Sequence, residues 1–404
     1  MPSTEPRQHL LQIFHDAVAS VNGRHVVANA LRANPCTGSC ALVAMGKAAV
    51  AMAQGAQEVM ADQITEALVI TKHGHDHGSP WPALTASHPV PDASSLAAGN
   101  ALLEFVDGLP ESRQVLVLIS GGASSLIEVL PDNSSLDQLQ RLNNWFLSSG
   151  VDIATGNEIR KRLSRVKGGR LAQHLWPHPV RCLIISDVPG DDPASIASGP
   201  LSSPRPLFVP GNAPAWLAEL LEQHVTDESN LHFDHVRIEV IASIGDAMAN
   251  AADVARRLGY DVTVHEQLME DDVLETGQRI ARTLISSRSG SLHIWGGEPT
   301  VRLPENPGRG GRNQSLALAV ASAIAGNKDH YFLAGGTDGT DGPGEDAGAV
   351  VDADTVNRGA SHGFDANQSL ARADAGTFLE ASGDLIATGP TGTNVMDLAI
   401  GMKQ

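Results

Sequence analysis

The sequence predicts an α/β protein of two domains with parallel strands. Apolar runs of four to seven residues recur from end to end, each closes in a small or glycine-rich turn, and a helical pattern follows each turn. At 404 residues the chain also exceeds the roughly 250 to 300 residues that one core usually supports. Two domains are therefore expected, with a cleft between them.

In the first half the apolar runs predict strands over Ala41–Met45, Ala67–Thr71, Val115–Ile119 and Arg181–Ser186, the last rich in β-branched residues. Ser202–His235 mixes a proline-rich turn, a short helix and a polar run, and the domain junction is expected near its end, giving domains 1–235 and 236–404. Beyond it, Val236–Ala242 reads as a strand and Asp246–Leu258 as a helix with many small residues. Asp261–His265, Leu292–Trp295, His330–Ala334 and Gly348–Asp352 read as further strands. No fixed-period repeat is visible, and disorder is expected only at the first few residues.

A formal charge of −18 opposes nucleic-acid binding, and no basic tail offsets it. No stretch approaches the roughly 18 to 20 apolar residues of a membrane span, and the N-terminus lacks a signal pattern, so a soluble, cytoplasmic protein is expected. Cys36, Cys40 and Cys182 are too sparse, and odd in number, for a disulfide framework.

Gly296–Asn313 (GGEPTVRLPENPGRGGRN) places Glu298, Arg309 and Arg312 on glycine-rich backbone after a strand. Gly335–Gly348 (GGTDGTDGPGEDAG) follows the next strand and adds Asp338, Asp341, Glu345 and Asp346. Bare amides, fixed cations and clustered carboxylates together suit phosphoryl transfer with a divalent metal. Lys47 follows a strand and Gly46 at the start of a small-residue helix, where amides and the macrodipole favour an anionic partner. This is not a Walker A loop: the glycine spacing differs, and Ala48 stands where Ser or Thr would meet magnesium.

Val115–Ser125 (VLVLISGGASS) is a further strand-to-glycine turn. It lacks the second flanking glycine of a nucleophile elbow, so Ser120, Gly121, Gly122, Ser124 and Ser125 read as a ligand cradle. Asp187 closes an apolar strand, where it can bind magnesium or accept a proton, whereas Asp192 reads as a turn former. Arg160–Arg170 (RKRLSRVKGGR) is either a solvated helix face or, with Lys167 and Arg170 on a loop after the helix, a phosphate contact. The HGHDH and CTGSC segments make no recognised metal site, and His9, His15, His88 and His174 read as surface or core histidines.

Together these segments resemble the type 2 glycerate kinases, whose C-terminal part is the MOFRL domain. The likeness runs through GKAA (Gly46–Ala49), HPVPD (His88–Asp92), ISGGASS, LSRVKGGRLA, ISDVPGDDPASIASGP, GGEPTVRLP, GRGGRNQ and GGTDGTDGP, in order and across both halves. Ala123 stands where the family commonly has a third glycine. The resemblance implies a Rossmann-like, mostly parallel N-terminal sheet with helices on both faces, plus a smaller C-terminal α/β MOFRL domain. It also implies ATP-dependent phosphorylation of D-glycerate with Mg2+, usually at the 2-hydroxyl, and is compatible with a homodimer.

Carried onto this sequence, it sets Lys47 and Arg312 facing each other across an interdomain cleft as catalytic cations, with Asp187 as proton acceptor or metal ligand. Gly46, Gly296, Gly297, Glu298, Gly335, Gly336, Thr337 and Asp338 are the expected nucleotide contacts, Asp338 also a metal ligand. Ser120, Gly121, Gly122, Ser124, Arg160 and Lys167 are the expected glycerate contacts. Two rivals remain: an NAD(P)H-dependent hydroxypyruvate reductase, which wants a G-x-G-x-x-G that no strand here precedes, and a non-enzymatic small-anion binding protein.

Overall fold

A computed structural model describes residues 5–111, 113–132, 134–149, 153–204, 213–224 and 231–404. The proline-rich turn (205–212) and polar run (225–230) expected at the junction, and the first four residues, lie outside them. The chain forms two compact units, one of Gly23–Ile241 and one of Met1–Asn22 with Ala242–Gln404.

The Gly23–Ile241 unit is built on β1 (Cys40–Met45), β2 (Ile64–Lys72), β3 (Ala83–Ala86), β4 (Gln114–Ile119), β5 (Val180–Ile185) and β6 (Val236–Ala242), in the order β3-β2-β1-β4-β5-β6. The pairs from β3 through β5 are parallel. Both faces of β1 are buried, which explains its unbroken apolar run CALVAM. Ala41, Val43 and Met45 share a core with Ala98, Leu102 and Val106 of the helix Ala93–Asp107 and with Leu171 and Ala172. Leu42 and Ala44 alternate to the opposite face, where the helix Ala49–Met60 packs on the sheet. Helices thus cover both sides, as expected.

The second unit holds β7 (Asp261–Val264), β8 (Ser291–Gly297), β9 (His330–Gly336), β10 (Gly348–Asp352), β11 (Leu385–Ile386) and β12 (Asp397–Lys403), in the order β11-β10-β9-β12-β8-β7. Here the expectation of parallel strands is corrected. Only β7 and β8 pair in parallel, and β12 lies between β8 and β9, antiparallel to both. β12 is a strand the sequence reading did not predict.

The expected boundary at 235/236 also differs from the observed division. β6 completes the first sheet, and the N-terminal helix Glu5–Ser20 belongs with the C-terminal half. That helix buries Leu10, Ile13, Phe14 and Ala17 and brings the Phe14 ring against Gly335. Arg7, 2% exposed, donates to Asp352 at 2.5 Å, to Asp384 at 2.7 Å and to the Val350 carbonyl at 2.6 Å. Among the described residues no helix is long and apolar enough to cross a membrane.

Arg7→Ala would leave the fully buried Asp384 and its neighbour Asp352 to share a single cation, Arg358. We expect about 3–5 kcal/mol loss of stability in urea unfolding. An unchanged midpoint would show that this helix does not dock as described.

Candidate functional site

In the Gly23–Ile241 unit, β1, β4 and β5 end side by side, bringing the Gly46 turn, the Ser120–Ser125 turn and Asp187 to one edge. The first two turns are clasped together. Gly46 has φ +120°, and a Cβ there would lie 2.3 Å from Ser120 Oγ, so only glycine fits. The Lys47 amide donates to the Gly121 carbonyl at 2.9 Å, and the Ala48 amide to Ser120 Oγ at 3.0 Å. Ser120, fully buried, therefore locks the turn, which corrects its assignment as a glycerate contact.

The stem of Lys47 and the His88 ring converge on Gly122: a Cβ placed there would lie 3.2 Å from Lys47 Cγ and 3.1 Å from His88 Cδ2. Ser125 Oγ donates to the Pro89 carbonyl at 2.8 Å, and Asp92 caps the helix Ala93–Asp107 through the Ser94 amide at 2.8 Å. These bonds pin the His88 loop to the turn. His88, read in sequence as a surface or core histidine, stands beside the Lys47 turn, and the signal for that placement was HPVPD, a helix cap four residues after a histidine. Ser124 is half-buried at the same turn. Asp187 follows β5 and is half-buried, whereas Asp192 accepts from Ser195 Oγ at 2.7 Å and the Ala194 amide at 3.2 Å, as a turn former does.

The other two expected glycerate contacts have structural partners. Lys167 (3% exposed) forms a buried ion pair with Glu128 (1% exposed), beside the Val129 amide that donates to Glu128 Oε1 at 3.0 Å. Arg160 lies 4.6 Å over the Phe146 ring and donates to Asn157 at 3.2 Å and Asn143 at 3.3 Å. A two-glycine stop after a basic helix looks like a phosphate loop in sequence. Here the Gly168 and Gly169 amides are spent on the carbonyls of Ser198 and Gly199.

In the second unit the centre is Arg312, first residue of the helix Arg312–Ala323. Its Nε donates to Asp397 Oδ2 at 2.5 Å, and its Nη2 to Asp397 Oδ1 at 3.1 Å and Glu298 Oε1 at 2.7 Å. Asp397 is 1% exposed and pairs in register with Gly297 on one side and Gly336 on the other. Burial works against the Arg312 charge, but Asp397, then Glu298 and Asp341, more than offset it, holding the guanidinium above its ordinary range. With its side chain 36% exposed, Arg312 is both anchored and reachable.

Asp341 is buried behind it, accepting from the Asn313 amide at 3.0 Å and the Gln314 amide at 2.8 Å. Burial pushes its carboxyl up to about 7; those two amides oppose the rise and the Asp397 charge adds to it. Thus the first amides of this helix are occupied by the protein's own carboxylate.

Several expected nucleotide contacts serve the fold instead. Gly297 (φ +133°) lets Met269 bridge to it, and a Cβ would lie 2.4 Å from the Met269 amide nitrogen. Gly296 packs on Ile244 and Met248, and Gly336 lies against the Thr340 carbonyl. Thr337 Oγ1 donates to the Met396 carbonyl at 2.6 Å and accepts from the Val395 amide at 2.9 Å. Asp338 Oδ1 closes its own turn on the Thr340 amide at 2.9 Å. Arg309 pairs with Asp346 at 2.7 Å and Glu380 at 2.6 Å, away from Arg312's partners. The 388–396 loop, missed in sequence, packs on Thr337 and leaves Thr393 Oγ1 buried without a hydrogen bond. Beside Gly296 lies a groove of about 500 Å³, lined by Ile244, Met248, Ala249, Ala252 and Leu268.

Among the described residues no three His, Cys, Asp or Glu side chains are gathered to hold a metal ion. Magnesium held by one or two carboxylates plus substrate phosphates needs no such group, so the carboxylates present are compatible with it.

Fold and site together define a two-unit α/β protein with Lys47 at a strand-end turn of one unit and the ion-paired Arg312 in the other. The MOFRL family model matches residues 291–397, and a domain of unknown function, DUF4147, matches residues 9–208. The chain is 38% identical to the D-glycerate 2-kinase of Thermotoga maritima, over 89% of this chain and 90% of that one. It is also 36% identical to a protein of Agrobacterium vitis named "Putative hydroxypyruvate reductase", over 97% and 93%. A crystal structure of Thermotoga maritima glycerate kinase aligns with a TM-score of 0.85 and 34% identity, over 98% and 99% of the two chains. The chain belongs to the type 2 glycerate kinase family and carries its MOFRL segment.

The Asp341 shift has a pH signature. Its folded pKa exceeds the unfolded value of 3.8, so the folded state holds the extra proton between these values and loses stability as pH rises toward about 7. Between pH 5 and pH 8 we expect this group to cost roughly 3 kcal/mol. Asp341→Asn, compared with the parent in thermal melts across that range, should lack this component; an equal slope in both would refute it.

Proposed function

We propose that this chain transfers the γ-phosphoryl group of ATP to D-glycerate at the 2-hydroxyl, giving 2-phosphoglycerate and ADP. The observation that carries the reading is Arg312, held charged by Asp397 and Glu298 at a strand edge, in a chain similar along almost its whole length to a D-glycerate 2-kinase. In the reaction the substrate oxygen bonds to the γ-phosphorus, the bond from that phosphorus to the bridging oxygen breaks, and ADP leaves. The hydroxyl proton passes to a base, for which Asp187 is our assignment.

Phosphoryl transfer asks a protein mainly for placement and for fixed positive charge opposite the oxygens that gather negative charge. Lys47 and Arg312 are the two cations we assign to that task, one from each unit. Gly122, Ser124 and His88 surround the Lys47 stem and are assigned to the glycerate side, in place of Ser120, Arg160 and Lys167. On the nucleotide side, Glu298 and the Asp338 turn accompany Arg312, and the groove beside Gly296 offers apolar walls to a flat base. Magnesium, when bound with ATP, would neutralise phosphate charge, and Asp338 and Asp187 are the carboxylates we assign to it. An acidic chain acting on small anions fits the cytoplasm.

Hydride transfer is the less favoured reading. The turn that would need to accommodate a dinucleotide is filled by Ser120, and no G-x-G-x-x-G opens a helix after any strand.

Lys47→Ala and Arg312→Ala should each lower kcat on glycerate and ATP about 30-fold to 1,000-fold, the equivalent of about 2–4 kcal/mol. Near-parental turnover in both folded variants would overturn these roles, and phosphorus NMR of the product assigns the hydroxyl. Ala249→Trp should fill the groove and raise the KM for ATP at least about tenfold while leaving that for glycerate within about twofold. An unchanged KM for ATP would place the base elsewhere.

A further inference from the structure

The helix that begins at Arg312 has no local cap. Its N-cap residue is Gly311, which has no side chain to offer the open amides of the first turn. The cap comes from another loop. Asp341 Oδ1 accepts from the Asn313 amide at 3.0 Å and Asp341 Oδ2 from the Gln314 amide at 2.8 Å, the two positions that an N-cap side chain ordinarily serves. The Asn313 side chain adds a longer bond to Oδ1 at 3.4 Å. Asp341 is only 2% exposed, so this carboxylate faces the protein.

A serine or aspartate at position 311 could cap this helix locally, but a Cβ there would lie 2.3 Å from Asp341 Oδ1. The remote cap therefore excludes the local one, and it does something a local cap cannot: it ties two loops together. A Cβ on Gly342 would lie 2.8 Å from the Gly310 carbonyl oxygen, so the Gly335–Gly348 turn is pressed onto the GRGG turn. On the far side of Gly310 (φ +137°) the Gly308 amide donates to the Arg372 carbonyl at 2.9 Å and the Arg309 amide to Asp374 Oδ1 at 2.9 Å. The GRGG turn is thus gripped at both ends. Beyond its first residue the helix is buried from Asn313 to Leu318 and held by packing, which leaves the backbone of Arg312 to be set by the cap. Burial opposes the Asp341 charge and pushes its carboxyl up to about 7, and a carboxylate kept where its surroundings disfavour it is a candidate for function. Its charge also adds to those of Asp397 and Glu298 in supporting the Arg312 guanidinium.

We propose that Asp341 is a positioning residue for phosphoryl transfer: by clasping the GRGG turn to the first turn of the helix, it fixes the backbone from which Arg312 reaches the transferring group. Asp397 and Glu298 aim the guanidinium, and Asp341 holds its root. The inference rests on the role assigned to Arg312 above, and Asp341 acts through that arginine without touching either substrate.

Steady-state kinetics of the full chain with glycerate and ATP test this. Asp341→Asn keeps the side chain's size but turns an NH2 group toward one of the two amides, a donor facing a donor, so the clasp opens on one side. Its kcat should fall about tenfold to a hundredfold, with both KM values within about threefold of the parent. Gly311→Ala, whose added carbon displaces the same carboxylate, should show the same split between kcat and KM. Asp341→Asn made in Arg312→Ala supplies the readout that a merely structural role would not give: because the carboxylate works through Arg312, the remaining turnover should fall by no more than about twofold further. Parental kcat in folded Asp341→Asn and Gly311→Ala, or a loss in the Arg312→Ala background as large as in the parent, would overturn the proposal. Near-parental turnover in Arg312→Ala alone would instead remove the role of Arg312 itself, a different and separately visible failure.

Discussion

The ion pair between Arg312 and Asp397 is the constraint on which the second unit's site depends. Asp397 is the first residue of a strand that runs against both of its neighbours. An antiparallel central strand starts where β8 and β9 finish, so its first side chain stands at the edge that collects their glycine-rich turns. A carboxylate buried there requires a cation, since an unpaired charge in that position would cost several kcal/mol. Arg312, at the start of the helix that follows the GRGG turn, supplies it, and Glu298 holds the outer side of the guanidinium. Desolvation, which would otherwise weaken the charge, thereby serves to fix its direction.

Much of the fold was legible because parallel, doubly covered strands announce themselves as unbroken apolar runs. CALVAM, QVLVLI and VRCLII are each buried along nearly their whole length, and all were found. β12 was not, although DLAIGMK is buried along nearly its whole length. The N-terminal helix was assigned to the wrong half for a related reason: position along the chain says nothing about docking when the partner, Asp352 and Asp384 for Arg7, lies more than 340 residues away.

Charged residues at turns were easier to place from sequence than glycines were. Lys47 and Asp187 follow β1 and β5, and Arg312 begins the helix after the glycine-rich loop that leaves β8. Glycine-rich turns carry two meanings that composition cannot separate, a backbone open to a ligand or one pressed against another backbone. Gly46 against Ser120, and Gly297 against Met269, are the second kind. Similarly, the positive charges of Arg160–Arg170 form no single patch, because Lys161 and Lys167 pair with Glu158 and Glu128 while Arg162, Arg165 and Arg170 line a cavity.

The most direct test of the central claim is the turnover of Asp397→Asn, which removes the charge that aims Arg312 while keeping the side chain's shape. If an anchored arginine drives the reaction, kcat should fall at least about tenfold in a protein that still melts cooperatively, with both KM values within about threefold of the parent. A folded Asp397→Asn variant with parental kcat would contradict the account.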